Sequence, residues 1–159
     1  MYLIHHRHYV IKYLIECLEV LKINNYKISP LKVTSFGDIS HLQSLVCSKS
    51  DNICPFELLK VLHPSPAVCG TPKKEAMNWI NTLESFSRGN YASPIGWVDS
   101  EGNSEFRVAI RGARYIDQNL EFTAGSGLVK GSISNKEIEE IQLKFKSLVK
   151  QIFLAKRTK

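Results

Sequence analysis

Residues 104–122 read Ser-Glu-Phe-Arg-Val-Ala-Ile-Arg-Gly-Ala-Arg-Tyr-Ile-Asp-Gln-Asn-Leu-Glu-Phe. Phe106, Val108 and Ile110 alternate with Arg107, Ala109 and Arg111, the period of two expected of a strand with one apolar face. Asp117-Gln118-Asn119 then places turn formers inside 113–124, as a hairpin requires. Just upstream, Ile95–Val98 is a strand candidate and Asp99-Ser-Glu-Gly-Asn-Ser104 a dense run of turn formers. Residues 95–124 are therefore predicted to form an antiparallel meander.

Helical patterns lie on either side. Val10, Ile11, Leu14, Ile15, Leu18 and Leu21 predict an amphipathic helix over 4–22, with no capping residue before it. Residues 23–54 read as irregular, with strand-like pieces at 31–33 and 42–46. Pro55 suits the first position of a helix over 56–62 that stops before Pro64. After the turn-rich segment 63–72, Thr71 is expected to cap a helix with Pro72 at its first position. Ala76, Trp79, Ile80, Leu83 and Phe86 give that helix one buried face, and Arg88-Gly89-Asn90 is expected to end it. Beyond Ala124-Gly-Ser-Gly127, Lys136–Leu154 reads as a long final helix. The class is α+β, an antiparallel sheet with flanking helices.

Composition excludes several functions. The chain of 159 residues carries 21 Lys+Arg against 15 Asp+Glu, a formal charge of +6. Lys144, Lys146, Lys150, Lys156, Arg157 and Lys159 equal that surplus, and residues 144–159 hold no acid. This is a local basic tail, so no nucleic-acid partner is expected. No apolar run reaches the length of a membrane span, and no membrane partner is expected. Cys17, Cys47, Cys54 and Cys69 contain no CxxC pair, which favours a reducing compartment, most simply the cytoplasm.

Several residues could carry chemistry. Glu137, Glu140 and Lys144 share one face of the final helix. Two carboxylates one turn apart can bind a hard cation such as Mg²⁺, and the lysine can hold an anionic group of the same substrate. The alternative is a Glu140–Lys144 pair on a solvated face. Gly125-Ser-Gly127 is either an anion cradle of backbone amides or a plain turn. Arg111 either grips a carboxylate or faces solvent. His5-His6-x-His8 lacks a matching ligand cluster, and His41 stands alone between apolar residues.

The order of these signals along the chain resembles the C-terminal part of the chorismate-binding enzymes, most closely their isochorismate synthase branch. The resemblance rests on Ile39-Ser-His-Leu42, Leu62-His-Pro-Ser-Pro-Ala-Val-Cys-Gly-Thr-Pro72 and Arg88-Gly-Asn-Tyr-Ala-Ser-Pro-Ile-Gly-Trp-Val-Asp99. It continues through Ser104–Ala113, Thr123–Val129 and Glu137-Ile-Glu-Glu140 with Lys144. His63-Pro-Ser-Pro-Ala-Val68 is similar to the isochorismate synthases, and Ala67 stands where anthranilate synthases commonly place threonine.

That resemblance implies a β-sandwich-cored fold and a Mg²⁺ cofactor held by Glu140, with Glu137 nearby. It also implies chorismate as substrate. Arg111 and the amides around Gly125 and Gly127 would take the enolpyruvyl carboxylate, Lys144 another carboxylate contact, and Tyr91 the face of the substrate. His41 is implied as the catalytic histidine near the departing ring hydroxyl. In the implied reaction, water adds at C2 while a base takes its proton, and the C4 hydroxyl leaves as an acid protonates it. The family's basic lysine and acidic glutamate lie in an N-terminal half, so residues 1–159 are expected to be the C-terminal part of a larger domain. That half is a possible partner as a separate chain, and this chain would be incomplete or inactive alone. The alternative is a non-catalytic fragment that acts as a folding partner. The family's Glu-His pair on the first helix is replaced by His5-His6, which weakens the expected hold on Mg²⁺ because a hard cation prefers carboxylate.

Overall fold

Helix α1 (Tyr2–Val20) begins the computed structural model, which describes residues 2–36, 39–49 and 53–155. It ends where Lys22 takes a left-handed conformation (φ 58°) and the Ile23 amide donates to the Leu18 carbonyl at 2.8 Å. That six-to-one bond closes the helix as glycine usually does. Cys17 and Leu18 on its last turn, with Ile23 just beyond, are buried. Tyr13 reaches the next helix, its hydroxyl donating to the carbonyls of Val61 at 2.9 Å and Pro64 at 3.3 Å. Burial, followed by the neighbouring Cys17 and Cys69, raises the pKa of that hydroxyl.

The stretch read as irregular is instead an ordered ribbon. Strands β1 (Tyr26–Ile28), β2 (Lys32–Phe36), β3 (Ile39–Gln43) and β4 (Val46–Ser48) pair antiparallel, β2 with β3 and β1 with β4. Three residues separate β1 from β2 but only two separate β3 from β4. The ribbon therefore carries a one-residue bulge. Pro30 has no amide to donate there, and the Ser29 amide and hydroxyl instead bond the carbonyl and amide of Leu45, each at 2.8 Å. Proline and short strands obscured the alternation in the sequence.

Helix α2 (Pro55–Leu62) starts on its proline and stops at His63, as expected. A short helix α3 (Pro66–Cys69) occupies the turn-rich segment. Helix α4 (Lys73–Leu83) differs from its predicted limits at both ends. Pro72 is extended (φ −63°, ψ 142°) and acts as the N-cap in place of Thr71, while Glu84 is extended (φ −79°, ψ 119°) and closes the helix before Arg88. The expected buried face is also overturned. Trp79 is 64% exposed, Leu83 73% and Phe86 59%, because no described element of the first unit lies over them.

The predicted meander is two separate hairpins. Strands β5 (Pro94–Val98) and β6 (Ser104–Val108) make one two-stranded sheet, and β7 (Ala113–Ile116) and β8 (Asn119–Phe122) another. The first turn is tied by Asp99, whose carboxylate accepts from the amides of Glu101 at 2.9 Å and Asn103 at 2.8 Å. The side-chain bond from Asn103, with these amides, holds the Asp99 carboxyl below its ordinary pKa. The second turn places Asp117 (φ 48°) and Gln118 (φ 63°) in the left-handed region, the signature of a two-residue hairpin whose twist matches its strands. Helix α5 (Ser134–Ala155) follows, with Leu148 buried.

The chain divides into two compact units, Met1–Ser87 with Pro94–Arg107 and Arg88–Ser93 with Val108–Lys159. The α+β class of the sequence reading is the class observed.

Candidate functional site

Tyr91, Arg111, Gly125, Gly127, Glu137, Glu140 and Lys144 all belong to the second unit. The segment expected to end α4 has a different task there. The Tyr91 amide donates to the Arg88 carbonyl at 2.8 Å, closing a tight turn, and the Arg88 guanidinium lies over the Tyr91 ring, 5.7 Å from its centroid. This cation–π contact steadies the ring. The turn is tied to the end of β6, with the Ala92 amide donating to Ala109 and the Ala109 amide to Ser93, both at 2.8 Å. Ala92 is buried and has φ 64°. A left-handed conformation at a residue with a Cβ costs of order 1 kcal/mol, offset here by that reciprocal pair.

Two residues after Ala109 comes Arg111, also left-handed at φ 54°. The sequence placed it in a strand, but β6 ends at Val108 and Arg111 occupies the link to β7. The two hairpins are separate sheets, and this link is where the predicted meander breaks. Arg111 is half-buried, and among the described residues no hydrogen bond or ion pair is formed by its guanidinium. A strained arginine with an unengaged five-donor fork is suited to a planar carboxylate.

Residues 123–133 link β8 to α5 and contain Gly125 and Gly127. A Cβ at Gly125 would lie 3.1 Å from the Tyr91 hydroxyl oxygen, so glycine is what lets the tyrosine close on the loop. From α5, Lys144 donates to the Gly125 carbonyl at 2.7 Å and to Glu140 Oε1 at 2.6 Å. Its side chain is 20% exposed against 54% for Glu140. The i,i+4 pair on a solvated face is thus only half of what the lysine does; it also pins the glycine loop to the helix. Tyr91, Gly125, Lys144 and Glu140 are brought together. Gly127 is exposed further along the loop, and Glu137 lies one turn before Glu140.

His41 lies on β3, in the other unit, and its side chain is outside the described residues. The same holds for the side chains of His5 and His6 on α1. Two features escaped the sequence reading. The Gly125 carbonyl, not only nearby amides, is engaged, and backbone acceptors leave no mark in a sequence. Arg88 against Tyr91 was legible as an i,i+3 basic–aromatic pair, but Gly89 beside it suggested a helix end.

Among the described residues, no three His, Cys, Asp or Glu side chains cluster as a metal site. Glu140 and Glu137 are the available donors near Lys144. One or two carboxylates, with water and substrate oxygens completing the shell, is the way Mg²⁺ is commonly held. The donor set fits that ion.

A family model described as chorismate binding enzyme matches residues 4–153. Isochorismate synthase MenF of Bacillus subtilis is 44% identical over 94 residues, covering 59% of this chain and 20% of the relative. Anthranilate synthase component 1 of Aquifex aeolicus is 33% identical over 129 residues, 80% of this chain and 26% of the relative. A crystal structure described as a 2,3-dihydroxybenzoate-specific isochorismate synthase, DhbC, from Bacillus anthracis superposes with a TM-score of 0.87 at 31% identity. That match covers 94% of this chain and 40% of the other. The chain thus spans less than half the length of each of these proteins.

Proposed function

The chain belongs to the chorismate-binding enzymes, and on that premise we propose that its second unit is the carboxylate-binding and Mg²⁺-binding part of an isochorismate synthase site. The observation that carries the reading is the convergence of Tyr91, Gly125, Lys144 and Glu140, with the unengaged Arg111 in the same unit. Chorismate is a dicarboxylate, so its site needs fixed cations and hydrogen-bond donors.

Arg111 takes the enolpyruvyl carboxylate through two parallel N–H bonds, with amides around Gly125 and Gly127 as further donors. Two of the Lys144 ammonium protons are directed to Gly125 and Glu140, and the third is left for a substrate carboxylate. Tyr91, steadied by Arg88, packs against the ring. Glu140 and Glu137 hold Mg²⁺, which when bound neutralises the ring carboxylate and fixes the ring. His41 retains the role implied by its sequence block, toward the departing hydroxyl. The base that deprotonates the attacking water and the acid that protonates the leaving group come from outside this chain, so binding without turnover is expected.

Calorimetric titration with chorismate, with and without Mg²⁺, tests the reading. Binding should require Mg²⁺ and weaken at least tenfold in Arg111→Ala, without isochorismate release by this chain alone. Chorismate binding indifferent to both EDTA and Arg111→Ala would refute the site. Robust turnover by the chain alone would refute its incompleteness.

A further inference from the structure

Arg114 on β7 stands opposite Glu121 on β8, in a register that the two left-handed residues Asp117 and Gln118 fix. Nε and Nη2 of the arginine donate to Glu121 Oε2 at 3.2 and 2.7 Å. Two bonds to one oxygen set the plane of the guanidinium. Both side chains are about half exposed, and exposed ion pairs contribute little to stability. What distinguishes this pair is the place of the remaining nitrogen.

Arg114 Nη1 is turned to Gly89. A Cβ on that glycine would stand 3.1 Å from Nη1 and 3.9 Å from Cζ, so the guanidinium occupies the side from which a side chain would emerge. Gly89 has φ 51°, a left-handed backbone that glycine adopts without the steric cost of a Cβ. The same freedom makes it the loosest joint of the 88–91 turn. The turn is bonded on either side of that joint. The Tyr91 amide reaches back to Arg88, and the hydroxyl and amide of Ser93 both donate to the Asn90 carbonyl, at 2.6 and 3.2 Å. The Tyr91 ring leaves the turn with Arg88 over its face and its hydroxyl beside Gly125. Rotation at Gly89 would move the ring relative to both. All of these residues lie in the second unit.

We propose that Arg114, held by Glu121, is a positioning residue for Tyr91. Its guanidinium immobilises the turn at Gly89 and so sets the angle at which the Tyr91 ring meets the substrate. Neither Arg114 nor Glu121 touches chorismate. The inference rests on the functional reading above for the identity of the substrate, and goes beyond it by assigning two residues outside the carboxylate and Mg²⁺ contacts.

The test uses the full 159-residue chain with 3-fluorotyrosine in place of Tyr91 alone, read by fluorine NMR, and calorimetric titration with chorismate and Mg²⁺. Arg114→Met should shift or broaden the fluorine resonance of the free chain and raise the chorismate Kd about threefold to tenfold, with the urea midpoint unchanged. Arg114→Lys keeps a charge for Glu121 but has no planar fork to lay against Gly89, so it should behave like Arg114→Met in both readings. Adding Glu121→Gln to Arg114→Met should cost nothing further, because Glu121 acts only through the arginine. An unmoved fluorine resonance in Arg114→Met overturns the proposal, whatever happens to chorismate. So do additive losses in the double variant, or loss of the fold in both Arg114 variants, which would make the pair a support of the whole unit. A parent chain that binds no chorismate overturns the functional reading, while the fluorine comparison still decides the positioning of Tyr91.

Discussion

The Lys144 ammonium joins the Gly125 carbonyl at 2.7 Å and Glu140 at 2.6 Å, so its replacement has structural and binding consequences that separate by variant. Lys144→Met leaves a half-buried carbonyl without its donor and should lower stability by about 1–2 kcal/mol in thermal unfolding. Glu140→Gln keeps an acceptor for the lysine on a mostly exposed side chain, so it should cost less than about 1 kcal/mol. It removes the charge proposed to hold Mg²⁺, however, and on that proposal should abolish the Mg²⁺ dependence of chorismate binding. Equal stability of Lys144→Met and the parent would show that the loop is not pinned this way. Gly125→Ala should weaken chorismate binding several-fold, because its Cβ would stand 3.1 Å from the Tyr91 hydroxyl. Tyr91→Phe removes the obstructing oxygen, so the double variant should recover most of that loss in a thermodynamic cycle. Additive losses would place the glycine's importance elsewhere.

At the scale of elements, the turn between α2 and α3 makes one pH dependence predictable. His63 closes α2, and its carbonyl accepts from the Lys73 ammonium at 3.1 Å. Burial, and after it the charge of Lys73, lowers the His63 pKa from 6.5. The unfolded chain then binds the proton more readily, so stability from this residue is present above pH 6.5 and is lost as pH falls from there through the lower folded-state pKa. His63→Gln should flatten the fall in denaturant midpoint between pH 7 and 5.5; an unchanged slope would exclude His63 as its source. The same elements show what a sequence reveals. Period-3.6 patterns located α1 and α5, Pro55 and Pro64 located α2, and turn chemistry located the bend at Asp117–Gln118, since these signals are local. Of the β1–β4 ribbon only the strand-like pieces at 31–33 and 42–46 were legible, because its strands are short and a bulge at Pro30 interrupts their alternation. The breaks at Ala92 and Arg111 were missed because left-handed backbone at residues other than glycine has no compositional marker. The resemblance named the candidate site residues along the chain; the convergence of Lys144 and Glu140 on the Gly125 loop is a tertiary fact.

The chain superposes on 40% of the DhbC isochorismate synthase structure, and its accessible surface is large for its mass. An unfolded chain of 18.0 kDa exposes about 26,000 Å² and a compact one about 8,000 Å², so ordinary folding buries about 18,000 Å². With 12555 Å² still accessible, this chain buries only about 13,500 Å², roughly three-quarters of that amount. The denaturant slope m scales with the area exposed on unfolding. The urea m-value of the lone chain should therefore be about three-quarters of that of compact single-domain proteins of similar length. Apolar area dominates the heat-capacity change, so that quantity should fall short as well. A full-sized m-value for the chain at a concentration where light scattering reports a monomer would mean that this surface is already buried in solution.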